Sequence, residues 1–315
     1  MTKVRPAPDR PHHFWLDFLR LLRRAARELS AHDPLRLGAA TAFFTTFALP
    51  PILILFTSVL GALYPASIVR TALLEKLSDL IGDTGAGLLE QIVQNVTNIE
   101  RSRLVTVLGI VFLLFVSTTL FVVIQNSLND LWQVRPRPAS GRLGRVLRER
   151  ARSGSLLLVT AVLAVAALVV DSLLHLLGDY IHEFDPTFTY FLFQILNFGA
   201  SMLILMLWFG ATFRNLSHAR VPWPALWRGA LLTAVLFELG QRLLGLLLQP
   251  RNLGPIYGPA ASLVLLLLFV FYSAMMFYFG ASFTKAYAQY SGQPIRPKPS
   301  AVSYRLVNLP EAEEA

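Results

Sequence analysis

Residues 231–250 read LLTAVLFELGQRLLGLLLQP, an almost pure hydrocarbon run with Glu238, Gln241 and Arg242 in its middle. The solvent around this run decides how the whole chain is read. In water it would be the core helix of a soluble domain, and its charges would be an anomaly. In a bilayer it is a membrane span, where a central charge costs about 2.5–3.5 kcal/mol unless it is paired or faces a cavity. Glu238 and Arg242 are four residues apart, so they share one helical face, with the acid in the favourable N-terminal position. Two readings stand. The pair neutralises itself and, with Gln241, fastens the helix to its neighbours, or it lines a polar cavity in which Arg242 attracts an anionic group.

Composition answers the solvent question. The chain has 315 residues, 54% hydrophobic and only 15% charged, with mean hydropathy +0.53. A soluble domain carries about 25% charged residues. Six runs are long enough to cross a bilayer, which takes about 20 apolar residues. They cover 37–63, 104–128, 155–178, 188–213, 225–248 and 258–287. Pro50-Pro51 interrupts the first, and a kink or break is expected there because proline lacks the backbone donor. The chain is therefore expected to be all-α, a polytopic membrane protein of six transmembrane helices. Their ends leave no room for a separate soluble domain.

The flanking segments follow from periodicity and charge. In residues 14–30, FWLDFLRLLRRAARELS, Phe14, Phe18, Leu21, Leu22 and Leu29 recur at helical spacing opposite Arg20, Arg23, Arg24 and Arg27. Such a basic amphipathic helix lies in the headgroup plane. It belongs to a cytoplasmic arm, 1–35, which lacks the apolar stretch of a secretory signal. The membrane domain spans 36–290. Between spans one and two, residues 64–103 carry two apolar stripes, one from Val69 to Leu80 and one from Leu89 to Ile99, separated by Gly82, Gly85 and Gly87. They are read as a helical extracytoplasmic excursion. Asn95-Val96-Thr97 matches the glycosylation sequon, a weak signal. Residues 291–315 are rich in proline and charge and are expected to be disordered.

The net charge of +9 and pI near 10.2 could suggest nucleic acid, but the basic residues are distributed as membrane orientation requires. Eight Lys and Arg precede span one after the count includes Arg36, and seven lie between spans two and three. The opposite side has four in residues 64–103 and none in 179–187. Both termini are therefore expected in the cytoplasm. Trp132, Trp223 and Trp227 fall at the same interface, where amphipathic rings anchor. No nucleic-acid partner is expected; membrane lipids are.

Local catalytic patterns do not occur. Cysteine is absent, the six histidines are scattered, and there is no H-E-x-x-H, Walker loop or G-x-S-x-G elbow. Neither a metal nor a cofactor is expected, nor an enzyme. The remaining polar residues each carry two readings. Asp171 and His175 in span three form a proton relay or an interfacial hydrogen bond. Gln194 and Asn197 in span four glue helices or line a cavity. Gln125, Asn126, Asn129 and Asp130, at the cytoplasmic edge of span two, either cap and dock that helix or form a vestibule for a polar headgroup.

Several segments together resemble one family. LGAATAFFTTFALPPILILFTSVLGALYP (37–65) is similar to the opening span of the YihY/BrkB membrane proteins. LFVVIQNSLNDLWQVRPRP (120–138) resembles the segment after their second span, and residues 223–248 and 257–288 resemble their last two. The resemblance implies a six-spanning, all-helical protein of the bacterial inner membrane. An older label of that family, transfer-RNA-processing ribonuclease BN, is disfavoured by the lack of nuclease-type metal spacing here. In relatives the last span usually reads Gly-Ala-Glu-Phe, whereas this chain has Gly280-Ala281-Ser282-Phe283. If that acid takes part in ion coupling in the relatives, this chain has lost it or replaced it with Lys285 or Glu238. The function expected is transport or export of an amphipathic or anionic envelope molecule such as a lipid. The alternatives are a non-catalytic scaffold or accessory subunit and, third, a membrane-bound ribonuclease.

Overall fold

Helix α1 covers Phe14–Ser30 and α2 covers Pro34–Leu60. The computed structural model describes residues 14–60, 119–137, 186–247 and 261–304, with a few isolated helical positions elsewhere. Helix α3 is described over 119–131. Helices α4 (Pro186–Asn215), α5 (Trp223–Leu247) and α6 (Ala261–Tyr290) follow. The expected first, fourth, fifth and sixth spans agree with α2, α4, α5 and α6 to within three residues at each end. Most of the second and third spans and of the 64–103 excursion, with Asn95, Asp171 and His175, lies outside the described residues.

Of the kink or break expected at Pro50-Pro51, the break does not occur, since α2 continues to Leu60. Two missing amide donors free two carbonyls of the preceding turn, a loss that membrane helices tolerate through neighbouring helices and local adjustment. Among the described residues, Gln194–Asn215 and Leu263–Tyr290 are apolar and long enough to cross a membrane. Only 17% of the most apolar stretch of the first is buried, the reverse of a soluble core helix. Ile195, Leu203, Leu231, Leu239, Leu243 and Leu263 are exposed. Apolar side chains bare on this scale mark surfaces that meet lipid or protein.

Helix α6 is the hub, packing against α1, α2 and α5, while α4 packs on α5. The α5–α6 contact is reciprocal. Gly229-x-x-x-Thr233 on α5 runs antiparallel to Gly280-x-x-x-Thr284 on α6. Gly229 faces the side chain of Thr284 and Gly280 faces Thr233, so closely that a Cβ on either glycine would overlap the threonine hydroxyl. Each hydroxyl donates to the glycine carbonyl of its own helix, Thr233 to Gly229 at 2.7 Å and Thr284 to Gly280 at 2.8 Å. The polar atoms are thus satisfied while the backbones approach, the small-residue solution to helix packing without a hydrophobic driving force. Farther along, Gly240 admits the Tyr272 ring in the same way.

Helix α1 has the predicted polarity. Leu21, Ala25 and Leu29 are buried, with Phe18 and Leu22 packed beside Phe283, Ala286 and Tyr287 of α6, and Arg20, Arg23, Arg24 and Arg27 are exposed. Its buried face therefore meets protein. A three-residue turn follows, with Asp33 left-handed (φ 50), a conformation aspartate tolerates better than most residues. Pro34 then starts α2, where its missing donor costs nothing.

Residues 291–304 are not the disordered tail that their composition suggested. After Gly292 (φ 72) the chain turns back across the helix ends as two short strands. Strand β1 (Val134–Pro136) pairs antiparallel with β4 (Ala301–Ser303), and β2 (Ala219–Arg220) with β3 (Arg296–Pro297). Lys298 N–H donates to His218 O at 2.8 Å and Tyr304 N–H to Gln133 O at 3.0 Å. Prolines fit because these are edge strands. Ala301 is buried and Ile295 packs on the main core. That core (Phe213, Leu128, Leu131, Leu216, Leu226 and Tyr278) centres on this same end of the helices.

Candidate functional site

Two polar regions stand apart, one within α5 and one at the strand-capped end. In α5, Arg242 Nη2 donates to Glu238 Oε1 at 3.3 Å, the ion pair its spacing predicted. The partners differ in surroundings: the Glu238 side chain is 19% exposed and that of Arg242 64%. The guanidinium also lies 5.3 Å from the centroid of Phe198 on α4, a cation–π contact across the α4–α5 seam. Gln241 is half-buried, and Asn197, beside Phe198 in sequence, is exposed. The structure thus brings Arg242 and Glu238 together and places Phe198 beside the guanidinium. At 1.5 Å per residue, Glu238 lies about 16 Å and Arg242 about 22 Å along the helix from Trp227.

At the other region, α3 is held by its own amides. Gln125 Nε2 donates to Leu216 O at 2.7 Å. Asn129 Oδ1 accepts the His218 N–H at 2.9 Å, and its Nδ2 lies 3.1 Å from His218 Nδ1. Because Oδ1 is fixed by a backbone donor, Nδ2 is the donor to the ring and Nδ1 accepts. Both amides are buried, whereas Asn126 and Asp130 are exposed. Asp130 accepts from the Tyr304 hydroxyl at 3.1 Å, and Arg135 lies over the Tyr304 ring. Burial first, then the Asp130 charge and hydrogen bond, raise the Tyr304 phenol above its ordinary 10.0, and Arg135 opposes them. Of the two readings of this cluster, Gln125 and Asn129 have the geometry of docking residues.

Lys285 was marked by the sequence only as a substitute for a missing acid. Its side chain is 7% exposed, paired with Glu28 of α1, and it donates to Leu131 O at 2.8 Å. One ammonium therefore ties α1, α3 and α6 together. Trp132 Nε1 donates to Ala281 O at 3.0 Å nearby. Ser282 is fully buried, and its hydroxyl finds no hydrogen-bond partner among the described residues. The Glu28–Lys285 tie could have been suspected only from a lysine standing among apolar residues at the end of a span.

A third group was not foreseen. Arg214, Asn215, Arg220, Val221, Lys298 and Ser300 line a cleft of about 630 Å³ beside β2 and β3. Arg214 stacks over Trp223 at 4.0 Å, and Trp223 in turn stacks on Trp227.

The family described as "Virulence factor BrkB" matches residues 25–305 of this chain. A UPF0761 membrane protein of Pseudomonas paraeruginosa is 30% identical over 255 residues, covering 78% of this chain and 57% of that protein. A UPF0761 membrane protein of Methylibium petroleiphilum is 28% identical over 93% of this chain and 67% of its own length. Another, from Idiomarina loihiensis, is 26% identical over 70% of this chain and 74% of its own length. The chain thus spans little more than half the length of the Pseudomonas relative. No solved structure matches it. With a family match running from the second half of α1 to just beyond β4, and with apolar helices left bare along their length, the protein belongs to the virulence factor BrkB family of membrane proteins.

Proposed function

We propose that the protein transports or exports an amphipathic, anionic envelope molecule such as a lipid, across a bacterial inner membrane that it spans several times with both termini cytoplasmic. The observation that carries this reading is the asymmetry of the Glu238–Arg242 pair. The carboxylate is largely covered while the guanidinium, at 64% exposure, is presented at the α4–α5 seam. A pair used only as glue would bury both partners, since unpaired charge in hydrocarbon is costly. An arginine neutralised from behind and open in front can take an anionic headgroup in passing, with Phe198 beside its alkyl chain. Gln241 and Asn197 would supply neutral hydrogen bonds there, and Asp171 and His175 a proton path.

The test is reconstitution into vesicles with a labelled anionic lipid on one leaflet. Movement between leaflets should require protein and fall with Arg242→Ala. Equal rates with and without protein would overturn the lipid reading. A reporter that is active only outside the cytoplasm, fused after residue 304, tests the orientation and should stay silent.

A scaffold or accessory role is favoured by a different observation: Gln125, Asn129 and Lys285 spend their polar groups on protein partners. That reading expects Glu238→Gln with Arg242→Met to leave function intact. Loss of function at normal abundance would count against it.

A further inference from the structure

The cleft beside β2 and β3 has the chemistry of an anion site. Among the described residues, its lining includes three cationic side chains, Arg214, Arg220 and Lys298, and no carboxylate. Among the described residues, no ion pair involves Arg214 or Arg220. Both arginines are exposed, so neither charge is spent inside the fold. Lys298 is fixed at the cleft by donating to Arg214 O at 2.9 Å and Ser217 O at 2.8 Å. Arg214 is held by its stack on Trp223, which fixes the guanidinium plane without using its in-plane donors. A planar fork of that kind matches two oxygens of a phosphate.

Position narrows the ligand. The cleft lies where α4 ends at Asn215 and α5 begins at Trp223. Trp223 is half exposed and stacked with Trp227 at 6.0 Å, an aromatic anchor of the type that sits at headgroup level. Basic pockets between membrane helices at that level take anionic headgroups. The tail closes the cleft on one side through Lys298 and Ser300, so the site exists only when residues 291–304 are folded back.

We propose that this cleft binds the phosphate of an anionic phospholipid headgroup, as a resident site separate from the Glu238–Arg242 pair. Binding here does not depend on transport. It couples a lipid contact to the seating of the tail strands.

The test is native mass spectrometry of the full chain from detergent micelles doped with phosphatidylglycerol or with phosphatidylcholine. One phosphatidylglycerol should be retained in preference to phosphatidylcholine. Arg220→Gln, which disturbs no stacking contact, should weaken that retention about tenfold, the least expected from losing one charged hydrogen bond. Arg214→Gln should do the same, while Arg137→Gln, a cation at the same end but outside the cleft, should not. Size-exclusion profiles matching the parent's show that the variants are folded. Equal retention of the two lipids would overturn the proposal, as would an equal loss in Arg137→Gln. A third arm adds inorganic phosphate to both kinds of micelle: if phosphate alone binds as well in phosphatidylcholine and competes fully with phosphatidylglycerol in the other, the lipid assignment is wrong. None of these readouts requires flipping, so failure of the transport reading leaves them unchanged.

Discussion

Gly280→Ala is the most informative single change, because the α5–α6 contact has no slack. A methyl at 280 would overlap the Thr233 hydroxyl and lie 2.8 Å from Thr233 Cβ and 3.2 Å from Cγ2. Turning the Thr233 side chain can move the hydroxyl, at the loss of its bond to Gly229 O, but no rotamer moves Cβ. Ordinary contact begins near 3.4 Å, so the Cβ approach is short by about 0.6 Å and the helices must separate. Overpacking of this kind costs about 1–3 kcal/mol. At roughly 2–4 °C per kcal/mol, a mid-range penalty lowers the unfolding midpoint by about 4–8 °C. Thermal unfolding of the detergent-solubilised protein, followed by intrinsic fluorescence, measures it. Thr233→Gly added to Gly280→Ala transfers the side chain from one helix to the other and should recover most of the loss. If Gly280→Ala melts with the parent, or if the exchange is no better than the single change, the reciprocal glycine–threonine contact does not hold these helices.

Lys285→Met should release α1. Glu28 keeps 28% exposure, so the cost is about 2 kcal/mol, below the 3–5 kcal/mol of a fully buried broken pair. The chain has no cysteine, and a Leu21→Cys reporter on the buried face of α1 should then react with thiol reagents at least tenfold faster; Glu28→Gln in addition should recover part of the protection. Asn129→Ala leaves the His218 N–H and Nδ1 without their partner and should cost about 1–3 kcal/mol in chemical denaturation; a loss under half that would mean solvent reaches the pair. The Tyr304 phenol is raised in the folded state, so the stability it contributes is complete below its unfolded pKa of 10.0 and is lost as pH rises through its folded value. The unfolding midpoint should fall above pH 10, and Tyr304→Phe should flatten that fall.

The α1 boundaries were read correctly from the sequence, and those of α2, α4, α5 and α6 to within three residues, because apolar periodicity and bilayer thickness act locally. The Glu238–Arg242 pair was legible for the same reason: i and i+4 on one helix meet whatever surrounds them. Which side of that pair lies open was not, because Phe198 comes from another helix.

The amides of α3 show the limit more sharply. Gln125, Asn126, Asn129 and Asp130 are chemically alike in a row, and only the approach of residues 216–218 separates two buried docking groups from two exposed ones. What the sequence determined alone is the solvent, the helices and their polarity, since each depends on hydrophobicity summed over a short window. What tertiary structure decided is every contact between segments distant in the chain. Lys285 joins Glu28 and Leu131, glycine faces threonine across α5 and α6, and residues 291–304 become strands because 134–136 and 219–220 supply the partners. A tail poor in apolar period has no reason of its own to order. It orders where two rows of unpaired backbone groups are waiting at the helix ends, and that row exists only once the helices have packed.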